Sequence, residues 1–531
     1  MIKFPLRQWI PLESTSLFQI IAQCTHGSNP LNKRPFHRLC SLMRKMGAQA
    51  LWIEKVNPAN NTDIDYEFTY LGKFFPSVNA MAYRLFFVRE DISKRKSFDF
   101  NNLTFLSCST IINYTAGSIS DSYLLYSITA TPKKHNYIRH RKGLPLMNYY
   151  FHSVKDYHFN FPAPDGEIKF TIRGAPFFQR NNKTAFCMQS ALATILNHLS
   201  SSTELLLPNK INTLCGGNIG KELTLDKKNT IDLIKKMGLH AKRFVFNQEQ
   251  TQQVFAKMLN LHDCPPSSLL YPWMESGFPG FIIFYPPSVK GTVDDALHVV
   301  PIIGHTLNTD SWQPEADIKY RRRVRLHFRP VSAWVDNFII HDDNFGMYLC
   351  YPTTKLAEKK RGIGYLVDFV LFLTKMDIPY PPDKTEIELI SLVRRYLKPT
   401  EDNIWINRLV EEPTPLVSRT VAATKEEFIH SLSDYDSEKN KIPRNTIGQI
   451  TRHLPENFWL TEITLPDLYI ANKTALISIV STFETGNICF IRLPRLCSYI
   501  NGGDVVESVD LPTNGHYKIY TKKNDNETFD W

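Results

Sequence analysis

The chain has no Cys-x-x-Cys pair, no long apolar run, no internal repeat and little glycine. Each absence closes off a class of protein. Nine cysteines are scattered at positions 24, 40, 108, 187, 215, 264, 350, 489 and 497. Without paired spacing they suggest neither a zinc ribbon nor a disulfide framework. Most are expected to be small buried residues of a reducing compartment. No window reaches the ~18 apolar residues of a transmembrane helix. The opening stretch Met1–Ile10 is broken by Pro5, Arg7 and Gln8, so it has no signal-peptide core. A cytoplasmic protein with no membrane association is expected. Only 23 glycines against 34 phenylalanines exclude a collagen-like or glycine-rich chain.

What is present reads as globular. Hydrophobic residues are 43 % and charged residues 21 % of 531, enough to bury a core without covalent staples. At roughly 100–200 residues per domain the length implies about three or four domains. The 62 Lys+Arg against 52 Asp+Glu leave a net charge of +10, which fits acidic partners without demanding them.

Composition and pattern suggest four regions. Residues 1–165 are an α+β region of unknown role, closed by the turn chemistry of Asp156–Gly166. Residues 166–375 carry the clearest signals. Residues 376–443 read as a helical linker region, and 444–531 as a small β-rich domain. Within 166–375, Met188, Leu192, Ile195, Leu196 and Leu199 fall on one face of a helix over Cys187–Leu199. Asn229–Met237 is a second helix ended by Gly238. Gly280–Tyr285, His298–Ile303, Val324–Phe328 and Phe338–His341 read as strands, and Leu366–Leu373 has the length of a core strand or core helix.

Four residues of this region make chemical sense together. A cysteine attacks as the thiolate, and Cys187 opens a helix, where unpaired N–H groups supply partial positive charge. His298, inside an apolar strand, is a base that can take the thiol proton and return it to a leaving group. Asp342, or its neighbour Asp343, can accept from the other ring nitrogen and fix the ring. The Gln179 carboxamide with the cysteine's own N–H can hold an oxyanion. Taken singly, each has a plainer reading: packed thiol, core histidine, turn acid, surface amide.

The stretch Ala175–Gln179 followed by Cys187–Leu192 resembles the start of C39-like, papain-fold cysteine peptidases. Trp273–Ile283, with Gly277-Phe278-Pro279, is similar to their Gly-x-Pro lead into a strand. Ala296–His305 resembles their histidine strand, and Phe338–Gly346 the strand that ends in the orienting acid. The resemblance implies a papain-like central domain, with a cysteine helix packed on an antiparallel sheet that carries His and Asp. It implies Cys187 as nucleophile, His298 as base, Asp342 as orienter and Gln179 as oxyanion donor. The substrate would be a peptide or protein, hydrolysed by a peptidase, amidase or acyl transferase that needs no cofactor. The sequence departs from the pattern at Met188, where a glycine is common, at Phe186, where a small polar residue is common, and in the longer spacing from Gln179 to Cys187.

Other signals point elsewhere. Lys319–Arg329 and Lys133–Lys142 are basic stretches with aromatics interleaved, a composition that can hold phosphates and stack on bases. Alternating exposed arginines on an ordinary strand are the better reading of the first, so nucleic acid is not the favoured partner. They leave open a different class of function, a catalytically inactive papain-like scaffold that binds protein or nucleic acid. His341-Asp342-Asp343 has no further ligands at marked positions, so no metal is expected. Cys215–Gly220 lacks the Lys-Ser/Thr of a phosphate loop and reads as a turn.

Overall fold

The computed structural model describes residues 7–12, 17–25, 30–75, 77–92, 103–132, 147–163, 166–179, 187–202, 204–214, 227–246, 266–285, 297–308, 328–357, 366–382, 385–386, 404–411, 416–433, 442–472, 474–502, 504–511 and 517–520. The stretches 133–142, 215–220, 319–327, 387–403 and 434–441 lie outside these residues. The fold is mixed α+β, with more strand than helix, built on three large sheets that are antiparallel but for one strand pair.

The N-terminal sheet runs in the order Arg7–Pro11, Ala50–Val56, Asn79–Val88, Phe105–Ala116, Ile119–Ala130, Gly166–Phe177, Lys155–Ala163. The boundary expected at 165/166 therefore divides a hairpin, since Lys155–Ala163 pairs with Gly166–Phe177. The region 156–163 is strand, not turn. Tyr157, Phe159 and Phe161 alternate along it, the period of a half-buried strand.

The central sheet runs Gly346–Pro352, Asn337–Asp342, His298–Asn308, Gly280–Tyr285, Leu366–Thr374, His240–Val245, and Met147–Phe151 pairs the far half of the histidine strand. Its strands bury Phe281, Ile282, Val300, Ile303, Val370 and Phe372 almost completely, as expected for apolar runs covered on both faces. The helix Pro266–Glu275 ends at Gly277, with φ +73°, and Phe278 N–H returns to the Trp273 carbonyl at 3.1 Å. A residue without a side chain takes that left-handed turn freely, which delivers Gly280–Tyr285 into the sheet.

The C-terminal sheet runs Phe328–Pro330, Leu416–Thr424, Asn457–Thr464, Ile477–Thr482, Ile488–Leu493, Leu496–Asn501, Asp504–Asp510. It begins inside the expected linker region and recruits a strand from the central one. Helix Ile404–Glu411 lies within that region. One apolar core joins Trp273, Phe244 and Phe372 to Val417, Ala422 and Trp459, so the central and C-terminal sheets share an interior.

Buried polar groups tie the N-terminal region to the helices beyond it. Glu67, on helix Thr62–Phe74, accepts from Tyr123 and, at 2.5 Å, from Asn209. Burial pushes its carboxyl up to about 7, with those two hydrogen bonds opposing. The folded chain then holds a proton that the unfolded chain releases near 4.5, so stability falls as pH rises from about 4.5 to about 7, by about 3 kcal/mol. Glu67→Gln is expected to flatten that decline. Melting temperatures of both proteins at pH 5 and pH 8 check it, and parallel slopes would refute it.

Candidate active site

The helix Cys187–Leu199 lies across the histidine strand. Of the expected face, Met188, Leu192, Ile195 and Leu196 are buried and Leu199 is partly so, but every residue from Met188 to Asn197 is buried, so the helix is covered on all sides and not on one face. Thr194 Oγ1 donates to the Pro176 carbonyl at 3.0 Å, pinning the helix to the end of strand Gly166–Phe177. At the other end Lys155 Nζ donates to the Ser200 carbonyl at 2.8 Å. The cysteine thus stands at the N-terminus of a helix pinned at its middle and at its C-terminal end.

His298 begins its strand beside that terminus. Its Nε2 lies 3.1 Å from Asp342 Oδ1 and 3.5 Å from Asp343 Oδ1. Nε2 faces the carboxylates, and the Cys187 thiol lies close enough to the ring to help raise its pKa. The thiol also approaches the Leu297 carbonyl at 3.7 Å. Burial opposes charge on His298. The Asp343 carboxylate, the hydrogen bonds to Asp342 and Cys187 and the Asp342 charge outweigh it and hold the imidazole well above its usual range. The sequence left two acids open for one role, and both are there: Asp342 as the closer acceptor, Asp343 as the larger charge effect.

The acids are set by a tight turn. Asn344 N–H donates to Asp342 Oδ1 at 2.9 Å and Phe345 N–H to the Asp342 carbonyl at 3.0 Å. Beyond it, Tyr348 sits at φ +50°, a region that side chains rarely adopt. Its hydroxyl donates to the Thr129 carbonyl at 2.7 Å and accepts from Ala175 N–H at 3.1 Å. Arg38 of helix Pro30–Lys45 donates to the Met347 carbonyl at 2.8 Å and also to that of Tyr348. The orienting turn is therefore clamped by the N-terminal region, a support no sequence motif marks.

Gln179 is buried two residues past strand Gly166–Phe177. Its Oε1 accepts from Leu124 N–H at 2.9 Å, and its own N–H donates to the Leu124 carbonyl at 3.1 Å. The carboxamide oxygen is thereby fixed on the N-terminal sheet. The neighbouring Phe177 and Phe178 line a crevice with Cys187 and Asp343. The structure thus joins His298 to Asp342 and Asp343, sets Cys187 beside them, and holds Gln179 on Leu124 of the N-terminal sheet. Phe186 and the loop 180–186 lie outside the described residues.

No known protein-family model and no curated protein matches the chain. The site stands on its geometry alone.

The other cysteines differ in kind. Cys24, Cys40, Cys108, Cys489 and Cys497 are buried, and burial pushes each thiol up to about 12. Cys350 is exposed, and Cys215 and Cys264 lie outside the described residues. Two groups among the described residues bring three possible metal ligands within 4.8 Å: His298 with Asp342 and Asp343, and His152 with Glu275 and His305. In the first, the ring nitrogen that faces the acids completes an ion pair. In the second, the Arg419 guanidinium already holds Glu275 Oε1 at 2.7 Å, and its charge opposes a second cation. No described helix is long and apolar enough to cross a membrane.

Proposed function

We propose that the chain is a cysteine hydrolase with a papain-like central unit, acting on a peptide or related amide. The reading is carried by one observation: His298 stands between a thiol at a helix N-terminus and a buried pair of carboxylates. In this scheme the Cys187 thiolate attacks the carbonyl carbon, and the Cys187 N–H with the Gln179 carboxamide receives the oxyanion. Imidazolium His298 then protonates the departing amine, leaving a thioester. His298 next takes a proton from water, the hydroxide attacks the thioester, and the thiol returns with the acid product. An amine in place of water gives acyl transfer. Asp342 and Asp343 keep the ring oriented and charged between the steps.

A silent scaffold that serves only for binding is favoured by a single feature. The crevice beside the thiol has a volume of about 10 Å³, close to the space one water needs. One experiment separates the two. Purified protein is treated with a peptide electrophile and an amide substrate library, with products identified by mass spectrometry. Labelling at Cys187 that is lost in Cys187→Ala and His298→Ala, with amide products from the wild-type chain, supports the hydrolase. Equal labelling of all three proteins sinks it.

A further inference from the structure

The crevice beside the thiol has polar walls that its small size conceals. From the helix Cys187–Leu199 it is lined by Cys187, Ser190 and Thr194, whose spacings of three and four residues place them on one helix face. From the turn that carries the acids it is lined by His341 and Asp343. Ser190 is 4 % exposed, and its Oγ has no hydrogen-bond partner among the described residues. A buried hydroxyl left unpaired is costly to a fold. Thr194 Oγ1 donates to the Pro176 carbonyl at 3.0 Å, which leaves it lone pairs that can accept. These groups surround about 10 Å³, too little for a substrate side chain and close to the space of one water.

We propose that one buried water fills this crevice, accepting from the Ser190 hydroxyl and donating to the Asp343 carboxylate and to Thr194 Oγ1, and that Ser190 is thereby a positioning residue for the His298 ring. Its meaning for catalysis rests on the hydrolase reading, whereas the water and its hold on the ring do not. Three hydrogen bonds are the usual number for a buried water. The link to the ring runs through Asp343, whose Oδ1 is 3.5 Å from His298 Nε2. A hydrogen bond to a carboxylate favours its charged form. Against the burial of His298, the Asp343 charge leads the attractions that favour the imidazolium, followed by Asp342 and Cys187. Asp342 takes a donor from its own turn, Asn344 N–H at 2.9 Å. The two acids are then supported from different sides, one by the turn and one by the water. His341 faces the same space as a neutral ring. Burial pushes its imidazole down to about 3, opposed by the Pro176 backbone and assisted by the Arg38 charge. It therefore stays uncharged while His298 titrates.

The test follows the His298 Cε1 resonance through a pH titration of the full chain with isotope-labelled histidine, assigned through His298→Gln. Cys187→Ala is present throughout, so that the thiol does not titrate with the ring. Adding Ser190→Ala removes the donor that holds the water on Asp343. The ring should then bind its proton about 3- to 10-fold more weakly, the worth of one hydrogen bond, and its midpoint should move to lower pH. Ser190→Thr keeps the hydroxyl and should restore the midpoint. A crystal structure of the wild-type chain needs no variant to fold. It is expected to place a water oxygen within hydrogen-bond distance of both Ser190 Oγ and an Asp343 carboxylate oxygen. Three results each overturn the proposal: a crevice without that water, a midpoint indifferent to Ser190→Ala, or a fall that Ser190→Thr leaves in place, the mark of a packing defect. Amide turnover by the chain with Cys187 intact is measured separately. A midpoint that moves as expected in a chain without turnover removes the hydrolase reading alone. Turnover that depends on Cys187, with a midpoint that does not move, removes the water link alone.

Discussion

Replacing His298 by alanine is expected to slow amide turnover by about 100- to 10,000-fold, the range of a positioned acid–base group. The variant loses the partner that takes and returns the proton of Cys187, while the helix terminus and the crevice remain. Binding of substrate should change far less, so the loss should appear in kcat. The two acids can be resolved in the same assay. Asp342→Asn removes charge from the closer acceptor, 3.1 Å from Nε2, and Asp343→Asn removes the charge at 3.5 Å. If orientation dominates, Asp342→Asn is the slower enzyme. The double variant should lose less than the product of the single losses, because both act through one ring. The ring also links pH to stability. Its folded pKa lies well above the usual 6.5. The stabilisation it gives is thus complete below that value and is lost as pH rises through the raised one. The advantage of the wild-type melting temperature over His298→Gln should therefore shrink in alkaline buffer. A constant difference from pH 6 to pH 10 would contradict the ion pair.

The largest effect on stability is expected at Arg419. Its guanidinium joins Glu275, at the end of helix Pro266–Glu275, to Glu462 of strand Asn457–Thr464, at 2.7 and 2.8 Å. It also donates to the Tyr520 carbonyl at 2.9 Å. Glu275 in turn receives His305 at 3.3 Å and faces His152 at 3.8 Å. Burial resists charge on Glu275, but Arg419 and the two histidines hold its carboxyl well below the usual range. Burial pushes Glu462 up, with Arg419 opposing. Arg419→Ala leaves two buried carboxylates without their shared cation, a change worth about 3–5 kcal/mol. Glu275→Gln with Arg419→Met and Glu462→Gln removes the charges together and should recover most of that loss. Thermal unfolding of the single and triple variants measures both. A single variant as stable as the wild type would show the network to be idle.

The sequence displayed the central chemistry because it lies on elements with strong local signals. The Cys187 helix follows apolar 3.6-residue spacing, and the strands at 280, 298, 337 and 366 are short apolar runs. Cys187, His298 and Asp342 each sit at the end of one of them. The partition into domains was less legible. Strand Lys155–Ala163 hid behind its prolines at 162 and 164, although its aromatics alternate. Leu416–Thr424 mixes Ser418, Arg419 and Thr420 with apolar residues, so its hydropathy reads as linker until Glu275, Glu386 and Glu462 are seen to satisfy it. The same reason concealed the clamp on the orienting turn. Arg38, Thr129 and Tyr348 meet only through long-range contacts between distant sequence positions, which no local period encodes. Gln179 was visible as a residue, but its anchoring partner Leu124 was not.

Strand Gly166–Phe177 has its two neighbours in Ile119–Ala130 and Lys155–Ala163. A fragment starting at Gly166 would leave that strand with both long edges bare, just where it leads to Gln179 and braces the cysteine helix. The candidate site is therefore not a module that could be moved to another protein as a contiguous cassette. Its smallest portable unit includes the first sheet, so changes in that sheet and in the centre are bound to be inherited as one mechanical part.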